Sequence, residues 1–310
     1  MARFSIGTAI SEAFGLIRRR PLATFVWGLL MLAPSVGSLA LILPILGGMI
    51  TAIAVEGADP DQVQNAMMGD MMQMQGLSAL LNLGQLVVTV VVYTAVMRAV
   101  VRPRETAFFS LRLGMDELRV AVVGLALVVG FYLLLLVVVL LGVGIGFATW
   151  GLGEPYNWLT ILALCLGLIP AIWLGAARVS LMVPASVLHR RLAFEEGWKL
   201  GRGQTCALFG MMLLVILIML VVQAVVVGIG SAVFMAAAGG MDWSRIIAAI
   251  EENPIGALTV LFNANWPWVT LAGLAVSVLY GVILTLSIAP FASACRQLSA
   301  EVAPAAEEGH

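Results

Sequence analysis

Apolar residues fall into six long blocks, at roughly 22–50, 77–98, 120–148, 158–180, 205–237 and 267–290, with short polar connections between them. A helix needs ~20 mostly apolar residues to cross the hydrocarbon of a bilayer. Each block meets that length, so the pattern predicts an all-α, polytopic integral membrane protein with six transmembrane helices grouped as three hairpins. The first block follows Arg18-Arg19-Arg20 and ends near Ala52-Ile53-Ala54, which imitates a signal peptide and its cleavage site. Signal peptides have an apolar region of only ~7–15 residues, so the block reads as an uncleaved first helix. Pro34 and Pro44 each remove a backbone donor from it and predict a kink or interruption.

The polar connections carry a weak internal repeat. Ala9-Ile10-Ser11-Glu12-Ala13-Phe14-Gly15-Leu16 precedes the first span, Ala107-Phe108 opens the segment before the third, and Ala193-Phe194-Glu195-Glu196-Gly197-Trp198-Lys199-Leu200 precedes the fifth. The last two copies place a glycine, Gly124 or Gly210, seventeen residues after the alanine. Val183-Pro184-Ala185-Ser186 and Ala289-Pro290-Phe291-Ala292 close the fourth and sixth spans in similar fashion. Triplication within a single membrane domain over 1–300 accounts for this, with units of about 4–98, 105–190 and 192–298 and a disordered tail over 301–310. Compositional coincidence is the alternative. Each unit reads as an amphipathic helix followed by a hairpin; in the first, Ile6, Ile10, Ala13, Phe14 and Ile17 recur at helical spacing. Segments 4–18, 105–118 and 192–202 are too short to cross ~30 Å at 1.5 Å per residue, so they are expected to lie in the membrane interface.

Charge sets the orientation. The six-span reading places fifteen of the sixteen basic residues on one side, with Arg245 alone opposite. Acidic residues divide nine to eight, so the two faces carry about +6 and −7. Lys/Arg excess marks the cytoplasmic side, which puts both termini in the cytoplasm. Trp150, Trp158, Trp243, Trp266 and Trp268 fall at the outer boundary, and Trp27 and Trp198 at the inner one, as aromatic belts do.

Within the spans, Ser78, Asn82, Gln85, Thr89 and Tyr93 share one face of the second helix. Amides avoid lipid, which offers them no partner. The stripe is therefore either interhelical hydrogen bonding or the wall of a hydrated path or headgroup groove. Thr270, Gly273, Ser277, Tyr280 and Gly281 form a weaker counterpart on the sixth span. Ala224, Gly228, Ala232 and Ala236 recur every four residues on the fifth, a spacing that lets backbones approach closely within the chain or between protomers, and Gln223 beside them suits an interhelical hydrogen bond. No carboxylate lies deep in any span, which argues against a proton- or cation-coupled transporter. Arg178 sits at the inner end of the fourth span, where it either snorkels or meets a headgroup phosphate.

Composition narrows the function. The chain is 62% hydrophobic and 11% charged, against ~25% charged in soluble domains. The longest connections, 51–76 and 238–266, fall below the ~40 residues at which a domain begins to stand alone. Cys165, Cys206 and Cys295 lie in or near spans, which disfavours a structural disulfide. H-E-x-x-H, G-x-S-x-G and a phosphate-binding loop lysine are all missing; His189 beside Arg190 and Arg191 reads as a solvated interface residue. No catalytic residue, metal or cofactor is expected. Met67, Met68, Met71, Met72 and Met74 crowd the first outer loop. They suit either an amphipathic helix against the membrane or, less simply, a soft Cu(I) site.

Arg178-Val-Ser-Leu, Pro184-Ala185, Trp198-Lys199-Leu200, Arg202-Gly203 and Phe209-Gly210 resemble the multi-spanning membrane domain attached to some bacterial glycerophosphodiester phosphodiesterases and related stand-alone membrane proteins. The similarity covers mainly 170–215, with an echo near 4–28. That family's hydrolysis belongs to a soluble barrel domain with no counterpart in these residues, so the resemblance implies a six-span module with a lipid-facing or scaffolding role. The expected function is a non-enzymatic module that organises lipid or partner proteins. Arg18, Arg19, Arg20, Arg178, Trp198 and Arg202 are expected at the headgroup interface. Expected partners are anionic lipids and a second copy or another membrane protein, with no nucleic acid. The rival functions are a channel or transporter lined by the second and sixth spans, and an intramembrane enzyme acting on lipid-linked substrates.

Overall fold

A computed structural model describes residues 4–54, 60–104, 108–149, 151, 153, 156–238, 244, 247 and 254–307. Ala107, Trp150, Trp243 and Arg245 lie outside the described residues. The helices are α1 (Ile6–Arg19), α2 (Pro21–Ala54), α3 (Pro60–Val101), α4 (Met115–Thr149), α5 (Tyr156–Val179), α6 (Met182–His189), α7 (Phe194–Leu200), α8 (Thr205–Ala238) and α9 (Pro254–Glu307). Among the described residues, six segments are long and apolar enough to cross a membrane: Pro21–Ile42, Met67–Val101, Met115–Thr149, Trp158–His189, Thr205–Ala232 and Thr270–Ala300. The chain is a multi-pass, all-helical membrane protein.

Several boundaries differ from those expected. α2 runs unbroken through Pro34 and Pro44; membrane helices tolerate proline where the freed carbonyl finds another partner. α3 begins at Pro60, so most of the expected outer loop is helix and the five methionines lie along it, with Met68, Met71 and Met72 exposed. α9 continues to Glu307, into the stretch expected to be a disordered tail. Within the expected helix over 105–118, the described residues form a single turn at Phe108–Ser110, a loop to Gly114 and, from Met115, the start of α4. Phe109 and Ser110 have φ of 51° and 58°, a left-handed conformation that stops a right-handed helix.

The chain comprises two compact units. One comprises Met1–Arg19, Tyr93–Ile218 and Thr285–His310; the other comprises Arg20–Val92 and Met219–Leu284. The first gathers the ends of the spans that carry arginine. Its core takes Ala9, Ala13 and Leu16 from α1, Val96 and Val100 from α3, Leu208 and Met211 from α8, and Ala289, Ala292 and Leu298 from α9. α4 packs on α5 and α6, and α7 on α5 and α6. Gly197 allows the last of these, since a Cβ there would lie 2.5 Å from the Met182 Cα. α4 shows how the helices divide between core and lipid. Glu117, Val120 and Val123 are buried at three-residue spacing, while Met115, Leu118, Val122 and Leu125 are exposed on another face. Only 6% of the most apolar part of this span is buried, and none of the most apolar part of the span beginning at Trp158, whose C-terminal end does bury Ala177, Leu181 and Ala185; the exposed apolar surfaces suit lipid.

In the second unit, α2 and α9 meet at two glycines. A Cβ on Gly28 would overlap the Ser277 carbonyl oxygen, and one on Gly281 would overlap the Thr24 carbonyl oxygen. Trp27 beside them is fully buried. On α8, where close packing within the chain or between protomers was expected, Ala224, Gly228, Ala232 and Gln223 are exposed in the single chain. The Ala236 side chain lies outside the described residues.

Candidate functional site

The arginine-bearing unit contains a buried ionic joint that positions its loops. Arg98, at the end of α3, is almost wholly buried and pairs with Glu117 of α4 at 2.6 Å. Its other terminal nitrogen donates to the Ser110 carbonyl at 3.0 Å. Asp116 links the surrounding arginines, taking Arg102 at 3.2 Å, Arg119 at 2.8 Å and Arg98 at 3.6 Å. Arg102 also donates to the Val187 carbonyl and, at 3.3 Å, to that of Leu188, so it caps the C-terminus of α6. The Arg98 Nε and the Glu117 Oε2 are buried with no hydrogen-bond partner. Left-handed residues such as Phe109 and Ser110 cost of order 1–3 kcal/mol each and persist where the surroundings fix them. Here the Arg98–Ser110 hydrogen bond does so.

Two further arginine–carboxylate pairs join segments of this unit, both more exposed than the first. Arg296 of α9 pairs with Glu12 of α1, whose other oxygen accepts Ser293. Arg296 also donates to the Val100 carbonyl at 2.7 Å, and the Ser5 N–H donates to the Gln297 Oε1 at 3.1 Å. Arg191, after α6, pairs with Glu196 of α7 at 2.7 Å, and the Ala193 N–H donates to the buried Ser186 at 3.1 Å. Glu12 and Glu196 each follow an alanine by three residues, and those alanines, Ala9 and Ala193, are both fully buried. Thus Arg98, Arg191 and Arg296 each meet a carboxylate on another helix, and the last pair ties α9 to α1.

On the surface of α7, Lys199 pairs with Glu195 at 2.6 Å. The hydrogen bond and then the charge of Lys199 lower the Glu195 pKa, and Glu195 raises that of Lys199 for the same reasons. The contact holds at neutral pH. It is lost as pH falls through the lowered glutamate pKa or rises through the raised lysine pKa. Both groups are fully exposed, so solvent screening leaves it a minor element.

Among the residues expected at the interface, Arg18, Arg19 and Arg202 are exposed and Arg20 is half-buried. The Arg178 guanidinium lies 4.1 Å from the ring centre of Trp198, a cation–π contact that joins the end of α5 to α7. Its Nε is buried without a hydrogen-bond partner, and its stem fills the space that Gly201 leaves open. Arg18, Arg19, Arg104, Arg112 and Arg202 are exposed and have no ion-pair partner among the described residues. Exposed apolar side chains lie beside them in the chain: Phe14, Leu113, Met115 and Trp198.

The polar stripe of α3 is not enclosed as a unit. Gln85 is half-buried and its Nε2 reaches the Met31 carbonyl at 3.5 Å, whereas Asn82 is exposed and Ser78 half-buried. Thr89 donates to the Gln85 carbonyl within its own helix at 2.7 Å. Tyr93 belongs to the other unit and is half-buried. On α9, Ser277 is buried and donates to the Gly273 carbonyl at 2.8 Å, while Tyr280 is on the surface.

Sequence reasoning used Arg98 only as part of the basic excess that sets orientation and missed its pairing with Asp116 and Glu117. The available signal was an Asp-Glu pair in the first turn of a span shortly after two arginines spaced i,i+4. Comparison of the chain with protein-family models, curated proteins and solved structures gave no match.

Proposed function

We propose that this chain is a non-enzymatic membrane module of the bacterial inner membrane that organises anionic lipid at its arginine-bearing, cytoplasmic face. The observation that carries the reading is the set of exposed, unpaired arginines beside exposed apolar side chains. Side chains so arranged suit headgroup phosphate and acyl chains together. Buried pairing of Arg98 and Arg102 supports it by contrast: arginines needed for architecture are paired, and these others are not. The resemblance of 170–215 to a membrane domain separable from its phosphodiesterase partner fits a module of this kind. A path lined by the second and sixth spans has one observation in its favour, the buried Gln85 Oε1 without a partner.

Each basic residue near an anionic surface contributes ~1 kcal/mol, and less as salt rises. Changing Arg18, Arg19 and Arg20 together to Gln is expected to lower selectivity for anionic over zwitterionic lipid by about tenfold to a hundredfold. Native mass spectrometry of the protein with each lipid measures it. Unchanged selectivity in the triple variant would reduce this cluster to an orientation signal. Flux of a small solute through reconstituted liposomes would favour the rival.

A further inference from the structure

The geometry points to a specific lipid contact: the loop Leu111–Met115 clasps an anionic phospholipid, with Arg112 on the headgroup phosphate and Leu113 and Met115 at the acyl boundary. This rests on the anionic-lipid reading above and names the site within it. Three observations meet in this loop. Leu113 is 79% exposed, the highest value among the exposed large apolar side chains of the described residues. Arg112 beside it is exposed and has no ion-pair partner among the described residues, although Asp116 and Glu117 follow within five positions. Those carboxylates are already committed, to Arg98, Arg102 and Arg119.

The loop is also fixed in place rather than left to find its own conformation. Phe109 and Ser110 hold left-handed backbone angles without being glycine, and the buried Arg98 grips the Ser110 carbonyl. Strain kept in this way recurs at sites that bind something. Its effect here is to end the helical path and project Arg112 and Leu113 outward.

Depth follows from α4. Met115, Leu118, Val122 and Leu125 are exposed along one helix face, at spacings of three, four and three, and continue from Leu113. This strip leads from the loop into the most apolar part of the span. Its hydrocarbon-facing side therefore ends at the loop, which sets Arg112 at headgroup level. The positive charge selects an anionic lipid over a zwitterionic one, whose own cationic group competes with it.

Two readouts on the full-length chain in nanodiscs test the contact. With Leu113→Cys carrying bimane in a background free of other cysteines, brominated phosphatidylglycerol is expected to quench the label more than brominated phosphatidylcholine. With Leu113 native, Arg112→Gln is expected to lower phosphatidylglycerol enrichment about fivefold, from ~1 kcal/mol per basic residue near the surface. Arg112 and Leu113 are exposed, so neither change threatens folding in the way that loss of Arg98 would. An unquenched label, or unchanged enrichment in Arg112→Gln while Arg18→Gln/Arg19→Gln/Arg20→Gln loses it, would overturn the clasp and leave the wider lipid reading standing. Absence of any phosphatidylglycerol enrichment in the unaltered protein would overturn both.

Discussion

Replacing Arg98 with Met is expected to destabilise the protein by about 3–5 kcal/mol, the range for removing one member of a buried ion pair. The cost comes from Glu117, which would stay buried without its cation. The Ser110 carbonyl would lose its donor at the same time, releasing the left-handed turn at Phe109. The double variant Arg98→Met/Glu117→Leu removes both charges and is expected to recover most of the loss, because apolar replacement of a whole buried pair is often near neutral. Denaturant unfolding in a fixed detergent, with Arg98→Met, Glu117→Leu and the double variant side by side, measures the coupling. A single variant costing under about 1 kcal/mol would mean that water or a neighbouring group replaces the arginine, as at exposed pairs.

The second large effect is expected at the crossing of α2 and α9. Gly28→Ala would set a methyl group against the Ser277 carbonyl, and a backbone atom cannot turn aside as a side chain can. Separation of the two helices is expected to cost about 1–3 kcal/mol or more. Gly37, on the same helix, has nothing within 4 Å of its Cβ position. Gly37→Ala is therefore expected to be neutral or to stabilise by up to ~1 kcal/mol, through the better helix propensity of alanine. Melting temperatures of the two variants in one detergent separate a packing effect from a propensity effect. Equal shifts would refute the close crossing.

The six spans were legible because hydropathy over ~20 residues reports what lipid requires of a helix. Hydropathy does not report where the helix itself ends. Residues 60–76 are polar enough to resemble a loop, yet their Gln, Met and Ala favour helix, and α3 runs through them. The turn at Phe109–Ser110 was hidden for a different reason. Left-handed residues are usually announced by Gly or Asn, whereas these are held by a buried arginine eleven or more positions earlier. Pairings at long range were beyond reach altogether. Glu12 and Arg296 are 284 residues apart in sequence, and nothing local to either indicates the other. The expected interface arginines Arg18, Arg19 and Arg202 could be named because charge beside an amphipathic stretch is a local pattern. Which arginines are spent on architecture could not, since that depends on which carboxylates fold against them.

The central claim, that the exposed arginines gather anionic lipid, is tested most directly by counting the lipids that stay with the unaltered protein. The full-length chain would be reconstituted in vesicles with equal amounts of phosphatidylglycerol and phosphatidylcholine, extracted gently, and its retained lipids identified by native mass spectrometry. The account predicts retained lipid that is mostly phosphatidylglycerol, with the excess shrinking as salt is raised. A retained composition equal to that of the vesicles at every salt concentration would contradict it.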